Sequence, residues 1–146
     1  MTGVQTCALP ISAPDGPRLH AWFFAADKAS PRARFAVLFC HGNGGNLTSR
    51  PGYYRAILEA GVNLLTFDYR GYGRSDGEPS EHGTYADAQA AYQWLRTRGF
   101  APDHILVWGE SLGGGIASQV AATLPDRKST RLNSSHIPLS RMPSSA

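Results

Sequence analysis

The chain has 146 residues and a formal net charge of +3, with 14 Lys or Arg against 11 Asp or Glu and only two cysteines. That length allows one domain with a real core but falls short of the roughly 200–250 residues that large α/β folds often use. The charge is not spread as a nucleic-acid binder would spread it: from Ala13 to Pro125 ten basic residues face ten acidic ones, and the excess lies beyond Pro125.

The two ends of the chain are related through the genetic code. The codons GTT CAG ACG TGT GCT CTT CCG ATC encode Val4 to Ile11, and their reverse complement, GAT CGG AAG AGC ACA CGT CTG AAC, encodes Asp126 to Asn133. Both ends can therefore be one DNA element read in opposite orientations, and that element resembles a sequencing-library adapter. On this reading residues 1–12 and 126–146 are adapter-derived, the tail is expected to be disordered, and residues 13–125 are the natural insert. His136 then has no claim to a role. Only Cys40 remains in the insert, so neither a disulfide framework nor a metal site is expected. No insert stretch approaches a membrane span. The missing natural amino terminus leaves an upstream signal or anchor open, and the insert itself favours the cytoplasm.

Asp15-Gly16 is a turn signal, and Leu19 to Phe24 is an aromatic-rich run of strand character, expected to be the second strand of an antiparallel hairpin whose partner lies just upstream. After a polar loop from Lys28 to Arg34, Phe35 to Cys40 is a continuous apolar run of the kind that forms a strand buried on both faces. The loop His41-Gly42-Asn43-Gly44-Gly45-Asn46 follows. Tyr54, Ile57 and Leu58 give a short helix its buried side, ended by Gly61, and Val62 to Phe67 is a third strand. Beyond the loop Asp68 to Gly77, Thr84 with Asp87 suggests a capping box, and Tyr85, Ala88, Tyr92 and Leu95 mark one face of the helix it opens. Gly99, Pro102 and Asp103 punctuate the approach to a fourth strand, Ile105 to Trp108. Ile116, Ala117, Val120, Ala121 and Leu124 form the apolar stripe of a last helix.

Alternating strands and helices imply a mostly parallel sheet with helices on its faces and functional loops at the carboxyl ends of the strands. The pentapeptide Gly109-Glu110-Ser111-Leu112-Gly113 sits at one such end, between a strand and a helix. There a serine is carried on a sharp turn with its hydroxyl exposed, and Gly109 and Gly113 leave room for strand and helix to approach. Taken alone it could be a glycine-rich turn with an incidental serine; the strand before it and the helix after it favour a nucleophile.

Three ordered motifs, His41 to Asn46, Phe67 to Ser75 and Gly109 to Gly113, together resemble the amino-terminal half of an α/β-hydrolase, particularly bacterial serine hydrolases akin to the serine aminopeptidase-like and BEM46-like proteins. The resemblance covers nearly all of residues 13–125 and implies a partial α/β-hydrolase fold truncated after the helix that follows the elbow. It implies Ser111 as nucleophile and an oxyanion hole formed by backbone N–H groups of Leu112 and Asn43, with Gly44 the alternative donor. His41, Gly42, Gly44, Gly109 and Gly113 support these motifs. The family's acid follows its nucleophile in chain order, so Asp68 and Arg70 read as a structural turn, and His41, His82 and His104 stand outside the catalytic position. The expected activity of the parent protein is hydrolysis of an ester, thioester or amide through an acyl-Ser111 intermediate. The substrate would be a small-molecule or acyl compound, with no cofactor, metal or nucleic acid. The chain as written is expected to be inactive because the triad acid and histidine are missing. Two alternatives stand beside this one. A noncatalytic homologue would act as a binding protein. A dinucleotide-binding oxidoreductase would use the glycines that follow the third strand, but Gly71-Tyr72-Gly73 does not open directly into a helix.

Overall fold

The structure is a computed structural model and describes residues 5–124. The expectations about residues 1–4 and 126–146, including disorder of the tail and the dismissal of His136, lie outside the described residues. Strands β1 (Gln5–Ser12), β2 (Arg18–Ala25), β3 (Ala36–Cys40), β4 (Asn63–Phe67) and β5 (Ile105–Gly109) form one sheet in the order β1-β2-β4-β3-β5. The helices are α1 (Pro51–Glu59), α2 (Glu81–Thr97) and α3 (Leu112–Thr123), with single 3-10 turns at Leu47–Ser49 and Pro102–His104. The pairs β1/β2 and β2/β4 are antiparallel, whereas β4/β3 and β3/β5 are parallel.

The hairpin expected at Leu19 to Phe24 forms, and its first strand is Gln5–Ser12, within the segment that the codon comparison assigns to adapter DNA. Alternation along the strands then sorts side chains between two layers. Val37 and Phe39 of β3 and Leu64 of β4 pack with Tyr54 and Ile57 of α1 on one face. On the other face Ala36, Leu38, Cys40, Leu65, Phe67, Ile105 and Val107 pack with Ala88, Leu95, Ile116 and Val120 of α2 and α3. All five residues of β3 are buried, as its continuous apolar run requires.

Helix α2 begins earlier than the sequence suggests. Its N-cap is Ser80, whose hydroxyl accepts from the Gly83 N–H at 3.0 Å, so the Thr84/Asp87 pair is no capping box. Asp87 is buried instead against Arg70, which reaches it from its backbone N–H (2.7 Å) and guanidinium (2.8–3.2 Å) while also holding Asp15 at 2.7 and 2.9 Å. Arg70 thereby pins the β1–β2 turn to α2.

The chain leaves β3 toward α1 on one face and leaves the adjacent β5 toward α3 on the other. Such a switch point opens a crevice at the carboxyl ends of neighbouring parallel strands, where α/β proteins place their sites. The register pairs Cys40 with Gly109, so the His41–Asn46 loop and the Glu110–Leu112 turn leave the sheet side by side.

Candidate active site

Ser111 has φ 55° and ψ −115°, and it is the only non-glycine residue at positive φ among the described residues. Holding an L-residue there costs about 1–3 kcal/mol and persists only where surrounding packing enforces it. Here the enforcement is the close approach of backbones. A Cβ on Gly109 would lie 2.1 Å from the Gly113 oxygen, and one on Gly113 would lie 1.9 Å from the Cys40 oxygen. Both positions therefore need glycine, as the sequence pattern implied. The Ser111 hydroxyl is half-buried, caps no helix N–H, and forms no hydrogen bond among the described residues.

Beside it, the Glu110 N–H donates to the Cys40 carbonyl at 3.1 Å. The Glu110 carboxylate accepts from the Gly42 N–H (2.9 Å) and from Arg50 Nε (3.0 Å). These bonds bring the loop that carries Asn43 against the turn that carries Ser111 and Leu112. Neither the Asn43 nor the Leu112 N–H has an acceptor among the described residues. The Leu112 N–H also lies at the start of α3, where the helix dipole favours negative charge. Two backbone donors without an acceptor among the described residues thus lie on the serine-bearing turn and on the loop tied to it.

The loop is ordered from beneath. His41 is fully buried, its Nδ1 is 2.7 Å from the Gly42 carbonyl, and its own carbonyl accepts from Tyr69 Oη at 2.7 Å. Burial pushes the Tyr69 phenol well above its ordinary pKa, so it stays a donor. Gly44 has φ 86°, a left-handed turn that a side chain would strain. Tyr72 Oη donates to Asn43 Oδ1 at 3.2 Å.

Asp68 is buried beneath the loop, accepting from the Leu47 N–H at 2.7 Å, with His41 Nε2 3.2 Å away. Arg70 is committed to Asp15 and Asp87. Neither side chain bonds Ser111, in keeping with the reading of both as structural. His82 packs edge-on to Tyr85 and His104 against Phe35. No imidazole or carboxylate among the described residues is hydrogen-bonded to the Ser111 hydroxyl. The glycines after β4 do not open a helix, since α2 starts only at Glu81. Sequence reasoning missed Arg50 and Glu110. Glu110 occupies a variable position of the pentapeptide, and nothing in the spacing links it to a residue sixty positions earlier.

No group of three or more His, Cys, Asp or Glu among the described residues could hold a metal ion, and no helix there is long and apolar enough to cross a membrane.

Comparison with known proteins agrees with this architecture. A family model described as alpha/beta hydrolase fold matches residues 36–130. An uncharacterized protein of Mycobacterium tuberculosis is 40% identical over 116 residues, covering 79% of this chain and 41% of the relative. Lysophosphatidylserine lipase ABHD12 of Danio rerio is 38% identical over 103 residues, 69% of this chain and 27% of the relative. This chain thus spans less than half the length of these relatives. Among solved structures, an esterase of Pyrococcus furiosus superposes with TM-score 0.75 at 21% identity, covering 86% of this chain and 47% of that one. A serine hydrolase of Xanthomonas campestris without a lid gives TM-score 0.75 at 23% identity, covering 89% and 60%. Fold, motif order and family match converge: the chain belongs to the α/β-hydrolase family.

Proposed function

We propose that the protein of which residues 13–125 form a part is a serine hydrolase that cleaves an acyl bond through Ser111. The observation that carries this reading is the strained Ser111 turn, set beside the N–H groups of Asn43 and Leu112, with neither the hydroxyl nor these N–H groups paired among the described residues. The Ser111 oxygen attacks the acyl carbon and passes its proton to a base. The former carbonyl oxygen takes the negative charge between the two N–H groups. The C–X bond then breaks, the leaving group departs with the proton, and water attacks the acyl-serine to release the acid and restore the hydroxyl.

The base and the acid that orients it belong, in this reading, to parent sequence beyond this chain, because no imidazole among the described residues engages Ser111 and His136 falls in the segment read as adapter-derived. The 146-residue chain alone is therefore expected to be inactive, since loss of the base costs on the order of a millionfold in serine proteases. The segments 1–12 and 126–146 are read as adapter-derived additions. Among ester, thioester and amide, a carboxylic ester is the first class to test, because the lipase relative shares 38% identity with this chain. The test is turnover of p-nitrophenyl acyl esters by the complete gene product. Activity in the parent protein and its loss in Ser111→Ala are expected, whereas turnover that survives Ser111→Ala would overturn the proposal.

A further inference from the structure

The peptide group that carries the Asn43 N–H is gripped from its opposite side. In a trans peptide the C=O and N–H point in opposite directions, so whatever holds the Gly42 carbonyl aims the Asn43 N–H. His41 Nδ1 is one such group, and Arg50 Nη2, 3.2 Å from the Gly42 oxygen, is the other. The same guanidinium donates from Nη1 to the Gly44 carbonyl at 2.9 Å and the Asn46 carbonyl at 3.4 Å. Its Nε donates to the Glu110 carboxylate, which also takes the Gly42 N–H. Three loop carbonyls and the carboxylate preceding Ser111 thus converge on one planar cation whose side chain is 11% exposed.

We propose that Arg50 is a positioning residue for acyl transfer: by gathering the carbonyls of Gly42, Gly44 and Asn46 and bridging to Glu110, it holds the Asn43 N–H toward the developing oxyanion. This rests on Ser111 being the nucleophile. Arginine suits the task because its rigid fork presents five donors in one plane, whereas lysine offers a compact point charge that cannot serve the same spread of acceptors. Each of the three nitrogens has a protein acceptor and Glu110 balances the charge, so four of the five N–H groups are committed to the loop and the turn. The oxyanion exists only along the reaction path, so the effect falls on kcat and not on KM.

The test compares Arg50→Met, Arg50→Lys and Glu110→Gln in the complete gene product, with kcat expressed per serine titrated by a fluorophosphonate. Arg50→Met should lower kcat about 10- to 100-fold with KM within about twofold of the parent. Affinity for a trifluoromethyl ketone that forms an oxyanion adduct should fall by the same factor, and Arg50→Lys should not restore either. A merely structural role would reduce the yield of titratable serine and leave kcat per site unchanged, and that result overturns the proposal, as does a change confined to KM. Should Arg50→Met fail to fold, Glu110→Gln decides: a lowered kcat per site is expected, and the parent value refutes the clamp. Ser111→Ala runs alongside, because turnover there refutes the nucleophile itself, whereas an inactive Ser111→Ala with an unimpaired Arg50→Met refutes only the role of Arg50.

Discussion

Gly113→Ala puts a methyl group where two backbones meet. The new Cβ would lie 1.9 Å from the Cys40 oxygen, 2.5 Å from its carbonyl carbon and 2.8 Å from the His41 oxygen, against 3.4 Å for ordinary contact. Relief requires α3 and the end of β3 to separate by about 1.5 Å. The three nearest atoms are all backbone, so no side chain that swings aside relieves these contacts, and the Cys40 oxygen is also tied to the Glu110 N–H. Overpacking of this kind costs about 1–3 kcal/mol, here toward the upper end. Alanine returns up to about 1 kcal/mol in helix propensity, leaving a net loss of about 2 kcal/mol. The separation also lies between the carriers of the Asn43 and Leu112 N–H groups, and a displacement near 1 Å at such a site costs on the order of 100-fold in rate. Urea titration at constant m and kcat per titrated serine in the complete gene product measure the two effects. Gly52→Ala is the comparison, since a Cβ there meets nothing within 4 Å. A Gly113→Ala protein as stable and as active as the Gly52→Ala protein would refute the close-approach argument.

Two further predictions concern groups away from the nucleophile. Arg70 holds the exposed Asp15 carboxyl below its ordinary pKa of 3.8, while Asp87 moves the opposite way because burial outweighs its hydrogen bonds from Arg70. Asp15 thus contributes stability that is present above its unfolded-chain value and is lost as pH falls through the lowered folded value. The stability difference between the parent and Asp15→Asn should therefore stay level from neutrality down to about pH 4 and narrow below it; a difference unchanged in acid contradicts the pairing. Burial pushes the Cys40 thiol up to about 12, so in the 146-residue chain Cys7 should react with a thiol reagent in the native state and Cys40 only after unfolding. Rapid native labelling of Cys40 would place it outside the core.

The features legible in the sequence were those written locally. The apolar run ending at Cys40 could only be a strand covered on both faces, and the spacing of Gly109, Ser111 and Gly113 described a turn whose strain the backbone at Ser111 displays. The aromatic strand from Leu19 asked for an antiparallel partner and received one. What escaped was information held between distant residues. Thr84 and Asp87 imitate a capping box, but Asp87 is drawn inward by Arg70, and the neighbouring Ser80 takes the cap. Arg50 and Glu110 meet only because β3 and β5 are neighbours in the sheet, a pairing that no periodicity in either segment announces. The charge of Glu110 gave no hint that its carboxylate would receive both a loop N–H and a guanidinium.

The central claim is that Ser111 forms the covalent intermediate. The most direct measurement is the intact mass of the complete gene product after fluorophosphonate treatment, followed by mapping of the modified peptide. One adduct on the peptide containing Ser111, absent from Ser111→Ala, is the expected result. An adduct on another residue, or the same adduct in Ser111→Ala, would contradict it.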